Sequence, residues 1–332
     1  MGDYDKPFIA YPDMVSLLKS RGLIIDDEPF ALGSLDYMSY YTIVNGYIDE
    51  LFYDSSQDRF LNDLQFEDLY TLHILDTSIN HLLLKYILYI EGALKSRVSY
   101  IVSQNHGVWT DVSDDKNKNP DDYLYRSNYS VNTGRRNSTL RKLKHYLQFP
   151  RPNDSSIQHY IKNHNHIPPW VLTTAISFYD AILWYEILNS EDKSYVTNAF
   201  IPTSSLNDME KKEYLRQSFE LMHEFRNKAA HGTPVFASKS KYIIPKKQLI
   251  FLSKGIITKS DLKRYASAQN GLLAMLPVVL SLLNDPYLRN SFKAELTGIL
   301  GLYIKQDLKI GGTPIYSLFG LPPDILNRIV AY

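Results

Sequence analysis

The sequence predicts an all-α fold, and three observations support it. Apolar residues recur at three- and four-residue spacing in block after block, strand signals are few, and Gly, Pro, Asn and Asp punctuate the gaps between blocks. Five or more such blocks in 332 residues argue for a helical bundle. Residues 14–18 open a short helix that Gly22 ends, because glycine is the usual residue just past a helix C-terminus. Residues 35–52, rich in tyrosine, read as helical despite Gly46. The longest periodic block is 66–102, where Leu69, Leu72, Leu75, Ile79, Leu83, Ile87, Ile90, Leu94 and Val98 form one stripe, with Asp63 or Asp68 near its start. Polar residues 103–137 read as a long loop or insertion. A short basic helix at 139–147 follows, broken by Pro150 and Pro152. Pro168-Pro169-Trp170 leads into an apolar helix ending near 188, since proline is tolerated in a first turn. Helices at 208–231, with Asn207 or Asp208 as N-cap, and at 260–283, stopped by Asn284-Asp285-Pro286, complete the bundle before shorter helices end the chain. Residues 242–252 read as a short strand or an extended arm.

Composition narrows the function. The chain has no cysteine, which excludes disulfide scaffolds, thiol nucleophiles, iron–sulfur clusters and cysteine-based zinc sites. No segment has the layout of a signal peptide, and apolar runs such as 82–90 carry Lys85 and are too short to span a bilayer, so a soluble cytoplasmic protein is expected. Thirty-six basic residues balance 36 acidic ones, but unevenly: residues 1–122 hold 9 and 21, and residues 123–332 hold the other 27 and 15. A neutral total therefore leaves room for a basic face that a polyanion would recognise.

The stretch that carries chemistry is Glu224-Phe225-Arg226-Asn227-Lys228-Ala229-Ala230-His231-Gly232. At about 100° per residue from Leu215, Phe219, Met222 and Ala229 fall within about 40° of one line, and Arg226 sits among them. A guanidinium keeps its charge and is expensive to bury unpaired, so Arg226 either meets an acid inside the bundle or faces a groove meant for an anion. His231, five residues on, points about 140° away on an ideal helix and converges with Arg226 only if the helix stops near Ala230-His231-Gly232. Capping alone also accounts for basic residues before a terminal glycine.

Arg-Asn-x-x-x-His at the end of a late bundle helix resembles the catalytic motif of HEPN ribonucleases. Residues 10–235 are similar to the Abi-like family of abortive-infection proteins, through Leu17-Leu18-x2-Arg21-Gly22, the tyrosines before Gly46-Tyr47, Glu91-x3-Lys95-Ser96-Arg97, Pro168-Pro169-Trp170-Val171, Ser177-Phe178 and Trp184-Tyr185. Tyr179 stands where the pattern has a glycine, and the tyrosine two places after the histidine in some HEPN toxins is absent. The resemblance implies a HEPN-like bundle over 63–284 with a basic insertion near 103–167, an N-terminal helical extension at 1–62 and C-terminal helices at 285–332.

It also implies a phage-defence toxin that cleaves RNA without metal or cofactor. The substrate's 2′-hydroxyl would attack the phosphate, with His231 moving protons and Arg226 holding the phosphoryl oxygens. Asn227 would orient Arg226 or face water; Glu91 would pair with Arg226 across the bundle or with Lys95 four residues on. One histidine cannot take and give a proton at once, so a homodimer with two motifs on one cleft is expected. RNA is the expected partner, as substrate and as a small non-coding regulator; the alternative is a protein that only binds such an RNA. Candidate contacts are Arg126, Arg135, Arg136, Arg141, Lys142 and Lys144, interleaved with Tyr123, Tyr125, Tyr129, Tyr146 and Phe149, and, after the motif, Lys239, Lys241, Lys246 and Lys247. His159, His164 and His166 lie close together without acids at helical spacing, and a proline-bounded loop accounts for them better than a metal site.

Overall fold

A computed structural model describes residues 7–47, 52–61, 63–235, 238–304 and 307–332. Its axis is α3, Phe66–His106, a helix of 41 residues and about 60 Å. The predicted stripe from Leu69 to Val98 is buried along its length. Asp68 holds its first turn by accepting the Gln65 N–H at 3.1 Å.

Before it come α1, Tyr11–Ser20, α2, Glu28–Met38, and a π-helical turn, Tyr41–Asn45. The predicted continuous helix over 35–52 is therefore broken. Ser39 lies at φ 66°, which ends α2, and residues 48–51 fall outside the described residues. A small hairpin, Tyr53–Asp54 with Arg59–Phe60, then leads into α3.

After α3 the loop spans 107–135, with a 3₁₀ turn at Arg126–Asn128, and α4, Arg136–Gln148, and α5, Ser155–Asn163, follow. The single helix expected after Pro168 is two: α6, Pro169–Leu172, and α7, Phe178–Ile187, restarted where the Ser177 hydroxyl accepts the Asp180 N–H at 3.1 Å. α8, Ser190–Phe200, precedes α9, Asp208–Ala230. Of the 242–252 segment, expected as a strand or an extended arm, only 242–245 is extended; Lys246–Leu252 form a helix, α10, instead. The 260–283 block divides into α11, Asp261–Arg264, and α12, Leu272–Leu282; at Gly271 a Cβ would lie 2.7 Å from Ser267 Cβ. α13, Pro286–Ile304, is longer than the short terminal helices expected there; a second hairpin, Lys309–Ile310 with Thr313–Pro314, and helices α14, Ile315–Leu318, and α15, Ile325–Ala331, close the chain.

Both α9 and α13 run antiparallel to α3. Asn80 of α3 meets Thr233 just past α9 while the Glu91 charge reaches His223, and Tyr86 packs on Phe292 at 4.9 Å while Arg97 reaches Asn284 at 2.9 Å. One apolar cluster continues from Val15 to Ile329. No helix of the described residues is long and apolar enough to cross a membrane.

Candidate active site

The site is built on α9. Asn207 and Glu210 cap its start reciprocally: the Asn207 side chain accepts the Glu210 N–H at 2.9 Å, and the Glu210 carboxylate accepts the Asn207 N–H at 3.0 Å. Tyr214, Leu215, Phe219, Met222 and Phe225 bury the inner face. The helix ends at the predicted place. Gly232 N–H donates to Ala229 O at 3.2 Å, and Thr233 N–H to Lys228 O at 2.9 Å. This paired closure needs a left-handed residue, and Gly232 supplies it at φ 66°. His231 is the last residue before that turn and is exposed.

The loop past the motif is clamped to α3. Thr233 O accepts from Asn80 Nδ2 at 3.2 Å, and Val235 N–H donates to the buried Asp76 carboxylate at 3.3 Å. Tyr47 donates to the same carboxylate at 3.2 Å, with His73 Nδ1 3.2 Å from its hydroxyl. Gly46 passes so close to its own helical turn that a Cβ would lie 2.8 Å from Thr42 O and 3.7 Å from Pro234. The tyrosine-rich segment and the motif, remote in sequence, thus form one unit.

Arg226 is half-buried, one turn before the helix end. It has no carboxylate partner among the described residues, its Nε meets neither solvent nor an acceptor, and Nη1 donates to Asn227 Oδ1 at 3.4 Å. Asn227 Nδ2 lies 3.1 Å from His223 Nε2, and the His223 ring stacks on Tyr179 at 5.0 Å and 22°. Burial holds the His223 imidazole below its ordinary pKa; Arg226 pushes the same way, against Glu220, Glu224 and Glu91.

His223 was missed by sequence reasoning, although 223, 226 and 227 share one helical face at spacings of three and four. Tyr179, the departure from the family pattern, turns out to be its stacking partner. Glu91 takes the second of its two expected roles: Oε1 accepts from Lys95 Nζ at 2.7 Å, and Oε2 is buried without a partner.

The candidate RNA contacts divide. Lys144 is a correction, since its side chain is 1% exposed and its ammonium is held by Asp122 at 2.7 Å and by the carbonyls of Asp111 and Asp114 at 2.8 and 2.6 Å. It lies on the buried face of α4 and ties down the acidic loop. Tyr123 and Tyr129 are buried too, so neither ring offers a face to a base. Lys142 pairs with Asp180 at 2.6 Å, Arg135 lies 3.5 Å from Glu186, and Arg136 donates to Tyr129 O at 3.4 Å. Arg126 and Arg141 are exposed, form no ion pair among the described residues, and join Lys116 and Lys118 around a concavity of about 380 Å³.

The extended arm runs antiparallel along α9. Lys228 reaches Lys239 O at 3.3 Å, Ser240 and Lys241 meet Glu224, and Lys247 meets Glu210. Lys239 and Lys246 keep exposed side chains without an ion pair among the described residues. The three histidines cluster around Tyr160, whose ring centroid lies 4.6 Å from His164. Among the described residues no group of three or more His, Asp or Glu is placed to hold a metal ion.

A family model described as Abi-like protein matches residues 34–237, well over half the chain. The chain belongs to the Abi-like family. Membership places it in abortive-infection phage defence. The match begins within α2 and includes Thr233 and Val235, so the matched segment contains both the clamp by Asp76 and Asn80 and the Arg226–His231 stretch. Neither a curated protein nor a solved structure matches the chain.

Proposed function

We propose that this Abi-like protein is a metal-independent endoribonuclease whose catalytic pair is Arg226 and His231. The observation that carries the reading is the guanidinium of Arg226, which forms no ion pair among the described residues and stands at the closing turn of a helix whose next side chain not engaged among those residues is His231. Buried donors ordinarily find partners. Nε itself is closed to solvent, so a phosphoryl oxygen would meet the terminal nitrogens of the same guanidinium.

The 2′-hydroxyl attacks phosphorus, the O2′–P bond forms and the P–O5′ bond breaks, leaving a 2′,3′-cyclic phosphate and a 5′-hydroxyl. A proton leaves O2′ and another reaches O5′. His231 of one chain serves one transfer and His231 of a second copy the other, so the working unit is a homodimer. Arg226 holds the extra negative charge with paired donors. Asn227 and His223 position it.

Labelled RNA incubated with the purified protein in excess chelator tests this. Cleavage is expected to survive the chelator and to fall at least ~100-fold in His231→Ala. Equal cleavage by parent and variant would remove His231 from the mechanism, and cellular toxicity that persists in Arg226→Ala would count against the nuclease. A second reading, a non-catalytic holder of a small non-coding RNA, is favoured by Lys116, Lys118, Arg126 and Arg141, which line one concavity with Asp115 and form no ion pair among the described residues. Steeply salt-dependent RNA binding without cleavage would support it.

A further inference from the structure

A pocket of about 500 Å³ opens where the C-terminal end of α7, α8, the first half of α9, loop 133–135 and Tyr242 of the arm come together. That volume suits a small molecule. Four cations line it: Arg135, Lys193, which donates to Glu186 O at 2.5 Å, Lys212, which pairs with Asp208 at 2.6 Å, and Arg216. Arg216 is exposed and pairs with no carboxylate among the described residues. Burial lowers the Lys193 pKa, and the like charges of Lys212 and Arg216 lower it further against the opposing charge of Glu186; a bound anion would relieve the remaining repulsion.

Three carboxylates share the wall. Glu186 is taken by Arg135 at 3.5 Å, and Glu213 accepts from Gln248 at 3.3 Å. Glu220 differs: it is 4% exposed, its carboxylate lies beside the Tyr242 hydroxyl, whose pKa burial and this charge raise, and its Oε2 has neither solvent nor a hydrogen-bond partner. The Thr133 hydroxyl on the opposite loop is also buried and unpartnered.

We infer that this pocket takes one nucleotide whose base carries an amino group, with its phosphate among Arg216 and the neighbouring cations and its amino edge on Glu220. Lys212, Arg216 and Glu220 stand on successive turns of α9, so the free acceptor lies about 6 Å along the axis from one cation and about 12 Å from the other. An α-amino acid, with amine and carboxylate on one carbon, reaches from Glu220 to the nearer cation but not on to Lys212, and inorganic phosphate offers Glu220 no matching partner. A nucleotide separates the two groups by a ribose and a base. Cytosine, adenine and guanine present amino donors, whereas uracil presents a single N–H flanked by two carbonyl oxygens that repel a carboxylate. The ligand is either a free nucleotide or one unit of a bound strand, and the inference does not depend on cleavage at His231.

Calorimetric titration of the full chain with CMP and UMP, and with 2′-O-methyl oligocytidylate and oligouridylate, which lack the 2′ nucleophile, tests it. Cytidine ligands are expected to bind at least about tenfold more tightly than their uridine counterparts, as for a hydrogen bond to a charged group. Binding of CMP itself marks a free nucleotide; binding of the oligomer alone marks a strand unit. Arg216→Ala, at an exposed site, should weaken both ligands about tenfold or more. Glu220→Gln should abolish or reverse the preference, because a glutamine amide can donate to uracil O4. Equal affinity for cytidine and uridine ligands, no binding of any of the four, or indifference to Arg216→Ala would overturn the inference.

Discussion

Replacing Lys144 by alanine separates a basic residue that holds the fold from one that meets RNA. Its ammonium is the charge partner of Asp122, which is fully buried, and a donor to the Asp111 and Asp114 carbonyls. Removing one partner of a buried pair costs about 3–5 kcal/mol, because the other charge stays behind uncompensated. Asp122 keeps donors from Thr110 Oγ1 at 3.0 Å, Asp111 N–H at 3.0 Å and Leu124 N–H at 2.6 Å, which lowers the penalty. Two carbonyls lose a donor, which raises it by about 1 kcal/mol each. The expected loss is therefore about 4 kcal/mol, a large part of the roughly 5–15 kcal/mol that a domain has.

Urea unfolding followed by tryptophan fluorescence measures it, with Trp109 in the affected loop as a local reporter. RNA affinity measured against salt on folded protein should keep its slope in Lys144→Ala. In Arg141→Ala the slope should fall by about 0.7, the share of one phosphate on a single strand. A loss of less than about 1 kcal/mol in Lys144→Ala, together with a reduced salt slope, would refute the assignment of Lys144 to the fold.

Three further outcomes are expected. Gly232→Ala should cost about 1–2 kcal/mol because φ is positive there, and Gly232→Asn less; thermal melts compare them, and activity should follow the same order since the turn places His231. Burial raises the Asp180 carboxyl, but hydrogen bonds from Lys142, Tyr146 and Ser177 outweigh it and leave it below its ordinary range. Its contribution to stability is thus fully present above the unfolded value of about 3.9 and drains as pH falls through the lower folded value, so Asp180→Asn should flatten the acid limb of a stability–pH curve. His223→Gln should reduce cleavage while leaving RNA binding nearly unchanged, because His223 anchors Asn227 and Arg226 away from the exposed cations; single-turnover rates alongside binding isotherms distinguish the two effects.

Periodicity alone carried much of the fold. The 66–102 stripe became the buried line of α3, and the Asn207 and Gly232 signals bounded α9 to within a residue, because capping and helical spacing are local properties. The breaks at 173–177 and 265–271 were not legible, since apolar residues on both sides of a turn read the same as those within one helix. Arg226, Asn227 and His231 could be named from sequence because they lie in one short run. Partnership could not: Glu91 meets Lys95 on its own helix, Arg226 pairs with no acid among the described residues, and His223 with Tyr179 completes the group only once α7 lies against α9.

The number and sign of the charges belonged to the sequence; their availability did not. Arg141 and Lys144 are three residues apart on α4, yet one faces solvent and the other the buried Asp122, because the polar loop after α3 folds back over one side of that helix. Local spacing therefore determined which helices form and where α9 stops, while burial, set only when distant segments pack, decided which cations remain free for an anion.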